Sequence, residues 1–139
     1  MAYATGLLAD PAATYRQIDV VGRTATADGP ALVQLLYEEL ISALRSAAWA
    51  TEHGQLARKS ERVTRATAIL FALEAGLDFD HGGEMSITFA KLYAGARRQI
   101  VDGSLEQDPQ VFRNVAGSIA DIAEAWDMVR KMNAPKKGN

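Results

Sequence analysis

The stretch that decides the fold is Pro109–Lys131, PQVFRNVAGSIADIAEAWDMVRK. Its apolar residues fall at Phe112, Val115, Ile119, Ile122, Trp126 and Val129, in steps of three, four, three, four and three. That alternation places all of them on one stripe of an α-helix. It is also the spacing of a seam packed nearly parallel to neighbouring helices. Asp108-Pro109, just before it, reads as a start signal. Asp caps free backbone N–H groups, and proline in the first turn gives up an N–H that would have no partner there.

Upstream, the same pattern repeats three times. Met85, Phe89, Leu92, Tyr93, Ala96 and Ile100 form a stripe that closes near Asp102-Gly103. Leu56, Val63, Ala66, Ile69, Leu70, Leu73 and Leu77 form another, ending between Gly76 and Asp80, with Gly82-Gly83 marking the break. The earliest runs Leu32, Leu35, Leu36, Leu40, Ala43, Leu44, Ala47 and Ala48; Asp28-Gly29-Pro30 opens it and His53-Gly54 closes it. The spacing predicts helices over 29–53, 55–77, 83–102 and 109–131. Their connections are short, which favours antiparallel neighbours, so the predicted architecture is an all-α, up-down-up-down four-helix bundle. The bundle domain is expected over 28–132. Residues 1–27, rich in Ala, Thr and Gly, are expected to form an N-terminal arm, flexible or partly ordered, with a short ordered piece at 15–21. Residues 133–139 are expected to be a disordered polar tail.

Composition narrows the functional classes. The 139 residues are 48% hydrophobic and 23% charged, the balance of an ordinary globular chain. A net charge of −2 supplies no basic field, which argues against nucleic acid as a partner and against an anionic membrane surface. No uninterrupted apolar stretch reaches the roughly 18 residues of a membrane span. The absence of cysteine removes disulfides, thiolate metal sites and cysteine nucleophiles at once. The opening MAYATGLLADPAATYR lacks the charged and apolar regions of a secretory signal, so a cytoplasmic location is expected.

Tests for chemistry return little. A di-metal bundle needs Glu-x-x-His on two helices and a Glu on each of the others. This chain has only His53 and His81, with one isolated Asp78-x-x-His81. No nucleophile elbow and no glycine-rich phosphate loop is present. We therefore assign no catalytic, metal or cofactor residues and expect no enzyme. The basic run Arg58, Lys59, Arg62 and Arg65 reads as a solvated helix face, with docking of an acidic partner as the alternative. Ile41, Trp49, Phe71 and Ile87 lie off the seams of their helices. Apolar surface residues of that kind are ordinary singly, whereas together they suggest a groove for an amphipathic helix.

The order of motifs resembles the FliS family. Tyr15 in the arm, the Thr26-Ala27-Asp28-Gly29 cap and Leu35-Leu36-Tyr37-Glu38 are similar to that family's tyrosine arm, T-A-S-P cap and L-Y-D-G helix. Gly82-Gly83-Glu84 followed by Leu92-Tyr93 resembles its G-G-E … L-Y segment, and Ile122–Trp126 its closing helix. The chain departs from the pattern at Pro30, one place later than the usual cap proline. It also departs at Glu38-Glu39, where Asp-Gly is usual, and at Asp102-Gly103, where Ala-Asn is usual. The resemblance implies a non-catalytic export chaperone that binds the disordered C-terminal region of flagellin, prevents premature polymerisation and delivers it to the flagellar type III export apparatus. The export gate would be a second partner. A regulatory adaptor for another flagellar or secretion protein is the alternative reading, and monomer and weak homodimer both stay open. Tyr15, Tyr37, Leu92 and Tyr93 match motif positions, and Ile18 and Ile41 are neighbouring apolar residues. All six are the expected flagellin contacts, with Tyr37, Leu92 and Tyr93 equally readable as core or core edge.

Overall fold

A computed structural model describes residues 29–133; the expected arm with Tyr15 and Ile18, the Asp28 cap and the residues after Asn133 lie outside that range. Four helices follow one another: α1 (Gly29–Glu52), α2 (Leu56–Ala75), α3 (Phe79–Glu106) and α4 (Pro109–Asn133). Among the described residues 92% are helical and none is in a strand. α1 packs on α2 and α4, and α3 packs on the same two, so the helices ring the bundle in chain order. Cross-helix bonds fix the directions. Trp126 near the end of α4 donates its Nε1–H to Pro30 O at the start of α1, 3.0 Å away, while Arg113 at the start of α4 pairs with Glu52 at the end of α1. The predicted antiparallel bundle is the observed one.

α1 makes the most extensive contacts, and of the adjacent pairs α3 with α4 is the sparsest. The cause lies in side-chain size. α1 buries Ala43, Ala47, Ala48 and Ala50, small residues that let α2 and α4 approach on both sides. Large side chains fill the centre: Tyr37, Leu40, Leu44, Leu70, Ile100, Phe112 and Ile119 are essentially inaccessible to solvent.

The third helix runs four residues past its sequence-based end, and a short helical turn from Phe79 precedes its expected start at 83. Asp78 caps its first turn by accepting from the N–H groups of Asp80 and His81, both at 3.1 Å. That turn joins the main helix through Gly83, at φ 53° and ψ −127°, a backbone conformation that suits glycine and strains other residues. Gly82 is needed for a different reason. A Cβ there would stand 2.1 Å from Ser86 Oγ, the hydroxyl that bonds back to Asp78 O at 2.8 Å. The glycine pair is thus the break that the sequence marks, a sharp kink between a short helical turn and the main helix.

At the other end, Gly103 does not stop the helix. It lets α3 approach α4, because a Cβ at Gly103 would meet Val111 Cβ and Cγ1 at 2.8 Å. Gly103→Ala should therefore destabilise the fold by roughly 1 kcal/mol or more, overriding the usual gain from replacing a helical glycine. Urea melts check this, and in a Val111→Ala background the same change should become neutral or stabilising.

Candidate functional site

At the pole where α1 and α3 begin and α2 and α4 end, the helix ends enclose an open recess of about 220 Å³. Its walls come from every helix: Leu32, Val33 and Leu36 of α1, Ala72 and Leu73 of α2, Phe89 of α3 and Trp126 of α4. Gly76, Leu77 and Asp78 of the α2–α3 connection complete the rim. The space exists because helix ends diverge from the tightly packed middle. Leu32, Val33, Leu77, Phe89 and Trp126 are only partly buried although they touch the core.

Tyr37 and Tyr93 also line the recess. They are 1% and 3% exposed, and their hydroxyls meet at 2.7 Å across the bundle between α1 and α3. Burial pushes both phenols above their ordinary range, so each keeps its proton at any physiological pH. The Phe89 ring stacks near Tyr93, with centroids 5.9 Å apart. Two polar groups at the margin are already engaged. The Trp126 N–H is held by Pro30 O, and Asp78 accepts from the α3 backbone and lies 2.7 Å from His81 Nδ1. That His81 bond is the foremost reason the Asp78 carboxyl titrates below the usual range.

The sequence-predicted residues thus divide. Tyr37 and Tyr93 are brought together beneath the recess. Leu92, 37% exposed, lines a second groove of about 280 Å³ between α3 and α4, beside Gly95, Gln99 and Ser118. Ile41 is half-buried against the core and lines neither space. Tyr15 and Ile18 are outside the described residues.

Two of the off-seam apolar residues sit in separate aromatic contacts. Trp49 stacks on His53 with centroids 4.1 Å apart under Arg58, while Phe71 lies under Arg97. The basic run is largely spoken for as well. Lys59 is buried and donates to Ser104 O and Oγ at 3.1 Å, Arg62 pairs with Glu61, and Arg65 pairs with Glu39. His53 and His81 stand apart, and among the described residues no cluster of three potential ligands could hold a metal ion. No helix is long and apolar enough to cross a membrane, again among the described residues.

Sequence reading missed Leu32, Phe89 and Trp126 as pocket walls because their periodicity marks them as core. Periodicity reports the face of a helix, not the distance of a residue from its end. The sequence reading also missed Asp78 as a cap, although Asp is a favoured N-cap residue.

Comparison with known proteins agrees with this geometry. The family model described as flagellar protein FliS matches residues 11–133. The chain is 32% identical over 116 residues to the flagellar secretion chaperone FliS of Salmonella typhimurium, covering 83% of this chain and 86% of that one. The namesake from Vibrio cholerae is 28% identical, over 83% of this chain and 85% of its own. That of Bacillus subtilis is 26% identical, over 84% of each. The matched span takes in all four helices, the kinked glycine pair and both buried tyrosines, and on that footing the chain belongs to the FliS family of flagellar secretion chaperones.

Proposed function

We propose that this chain is a cytoplasmic export chaperone that binds the disordered C-terminal region of flagellin, keeps it from polymerising and delivers it to the flagellar type III export apparatus. The observation that carries the reading is the apolar recess open at one pole, floored by the two tyrosines of the family-like motifs. A disordered ligand gives up ordering entropy when it binds, so it needs a broad apolar footprint, and the resulting complex remains reversible. Cargo that must be released for secretion suits that balance. In this reading flagellin contacts Tyr15 and Ile18 of the arm, reaches Tyr37 and Tyr93 through the recess, and touches Leu92 and Ile41 on the flanks.

Titration calorimetry with monomeric flagellin tests the proposal. A stoichiometric complex is expected with full-length flagellin and none with flagellin lacking its C-terminal segment; undiminished binding of the truncated protein would overturn the reading. Tyr15→Ala and Leu92→Asp should each weaken binding by about 1 kcal/mol or more, with melting temperatures unchanged. Leu92 is a cleaner probe than Ile41, whose packing against the core would let Ile41→Asp report unfolding instead.

A further inference from the structure

Arg58 is the member of the basic run that no carboxylate engages. It is exposed in the first turn of α2, and its guanidinium carbon lies 5.9 Å from the centroid of the Trp49 ring. Trp49 is 43% exposed near the end of α1. His53 stacks on it at 4.1 Å and is held there by its Nδ1, 2.8 Å from Trp49 O. Arg45 stands one turn before Trp49, hence on the same face of α1. It too is exposed, and it makes no ion pair among the described residues. The positive sign of this corner is uncompensated. Glu52 and Glu61, the acids nearest to Trp49 and Arg58 along the chain, are held by Arg113 and Arg62. The first turn of α2 contains no acidic residue, so Arg58 faces the positive end of its own helix dipole. A local conflict of that kind marks positions kept for something other than stability.

We propose that Arg45, Trp49 and Arg58 form a docking surface for an acidic segment of a partner protein, one in which carboxylates flank an apolar residue. Charge complementarity selects this occupant. Each guanidinium can hold a carboxylate in a two-bond fork, and the exposed part of the indole offers apolar area beside them. Tryptophan and arginine are also the residue types that most often anchor protein interfaces. A nucleic acid fits less well. His53 already covers the indole where a base would stack, and the chain's net charge of −2 repels a phosphate backbone. The contact is small, so the complex is weak and exchanges quickly. Its place in the fold separates it from the recess. Trp49 stands roughly 18 Å of helix beyond Tyr37, the last α1 residue that lines the recess. An occupant of one site therefore leaves the other open, and the proposal is independent of what the recess binds.

Fluorescence anisotropy tests it. The full chain is titrated into a labelled amphipathic peptide of repeating Glu-Glu-Leu-Leu, its Gln-for-Glu counterpart and a labelled oligothymidylate. The Glu peptide should bind, the Gln peptide should bind at least about tenfold more weakly, and rising salt should loosen the first. Arg45→Gln/Arg58→Gln, which removes the charges and keeps the stems, should weaken the Glu peptide about three- to tenfold. Trp49→Ala should weaken it about fivefold or more. Melting temperatures should stay near wild type, since all three side chains are exposed. Lys91→Gln/Arg98→Gln, a pair of exposed cations on α3, should leave the affinity unchanged. Equal affinity for the Glu and Gln peptides, or undiminished binding by the Arg45/Arg58 variant, would overturn the proposal. So would oligothymidylate binding as tightly as the Glu peptide, or the same loss from the Lys91/Arg98 variant, because either would mean that general charge attraction suffices.

Discussion

Phe112→Ala should cost the bundle about 3–5 kcal/mol. Phe112 is 0% exposed in the first turns of α4, between the end of α1, where Arg113 and Glu52 pair, and the close approach of Val111 to Gly103. Removing the ring forfeits its transfer energy and leaves a void that rigid helix ends close only partly. A domain of this size is stabilised by about 5–15 kcal/mol in total, so the loss takes about a fifth or more of that. The thermal midpoint should fall by more than about 10 °C. Urea unfolding gives the check: a lower midpoint with the same slope marks a true stability change. A loss below about 1 kcal/mol would mean that the ring is not packed as described.

Ile119→Ala should cost about 2–5 kcal/mol, and Ile122→Ala less than half as much. Periodicity treats the two alike, since both lie on the same seam. The structure separates them: Ile119 is 1% exposed at the centre, whereas Ile122 is only partly buried against the core. A large-to-small change is expensive where the cavity is sealed and cheap where solvent or a neighbour can fill it. Equal losses from both, measured by parallel urea melts, would contradict this grading.

These two isoleucines show what the sequence discloses and what it withholds. The 3-4 alternation of α4 is a local property of one helix, and it identified the seam, the helix and its packing style. Burial along the seam depends on what the other helices place opposite, which is set by residues dozens of positions away. Gly103 is an instance: read locally, Asp102-Gly103 ends a helix. Only the approach of Val111 reveals a glycine kept for clearance. The Gly82-Gly83 pair signalled a break, and the non-helical backbone of Gly83 provides it; the short turn capped by Asp78 upstream was not signalled.

The candidate site was legible in part for the same reason. Tyr37 and Tyr93 stand on stripes of different helices, 56 residues apart in sequence, so nothing local predicts that their hydroxyls meet. The recess is less visible still, because it is a gap among ordinary core-type residues at the ends of four helices. Some of the charged residues pair across helix edges, such as Glu74 with Arg97 and Glu39 with Arg65. Partly exposed pairs of this kind contribute about 0–1 kcal/mol each and decide register more than stability.

The bond from Trp126 to Pro30 has a practical bearing on how this protein is handled. It fastens the last turns of α4 to the first turn of α1, so Gly29 and Asn133, the limits of the described residues, both stand at the pole of the recess. The turn at Gly54 stands at the opposite pole, about one α1 length or ~36 Å away. The open space around it suits a label on an exposed neighbour such as Gln55, with Gly54 itself kept for its φ of 69° and the recess facing solution.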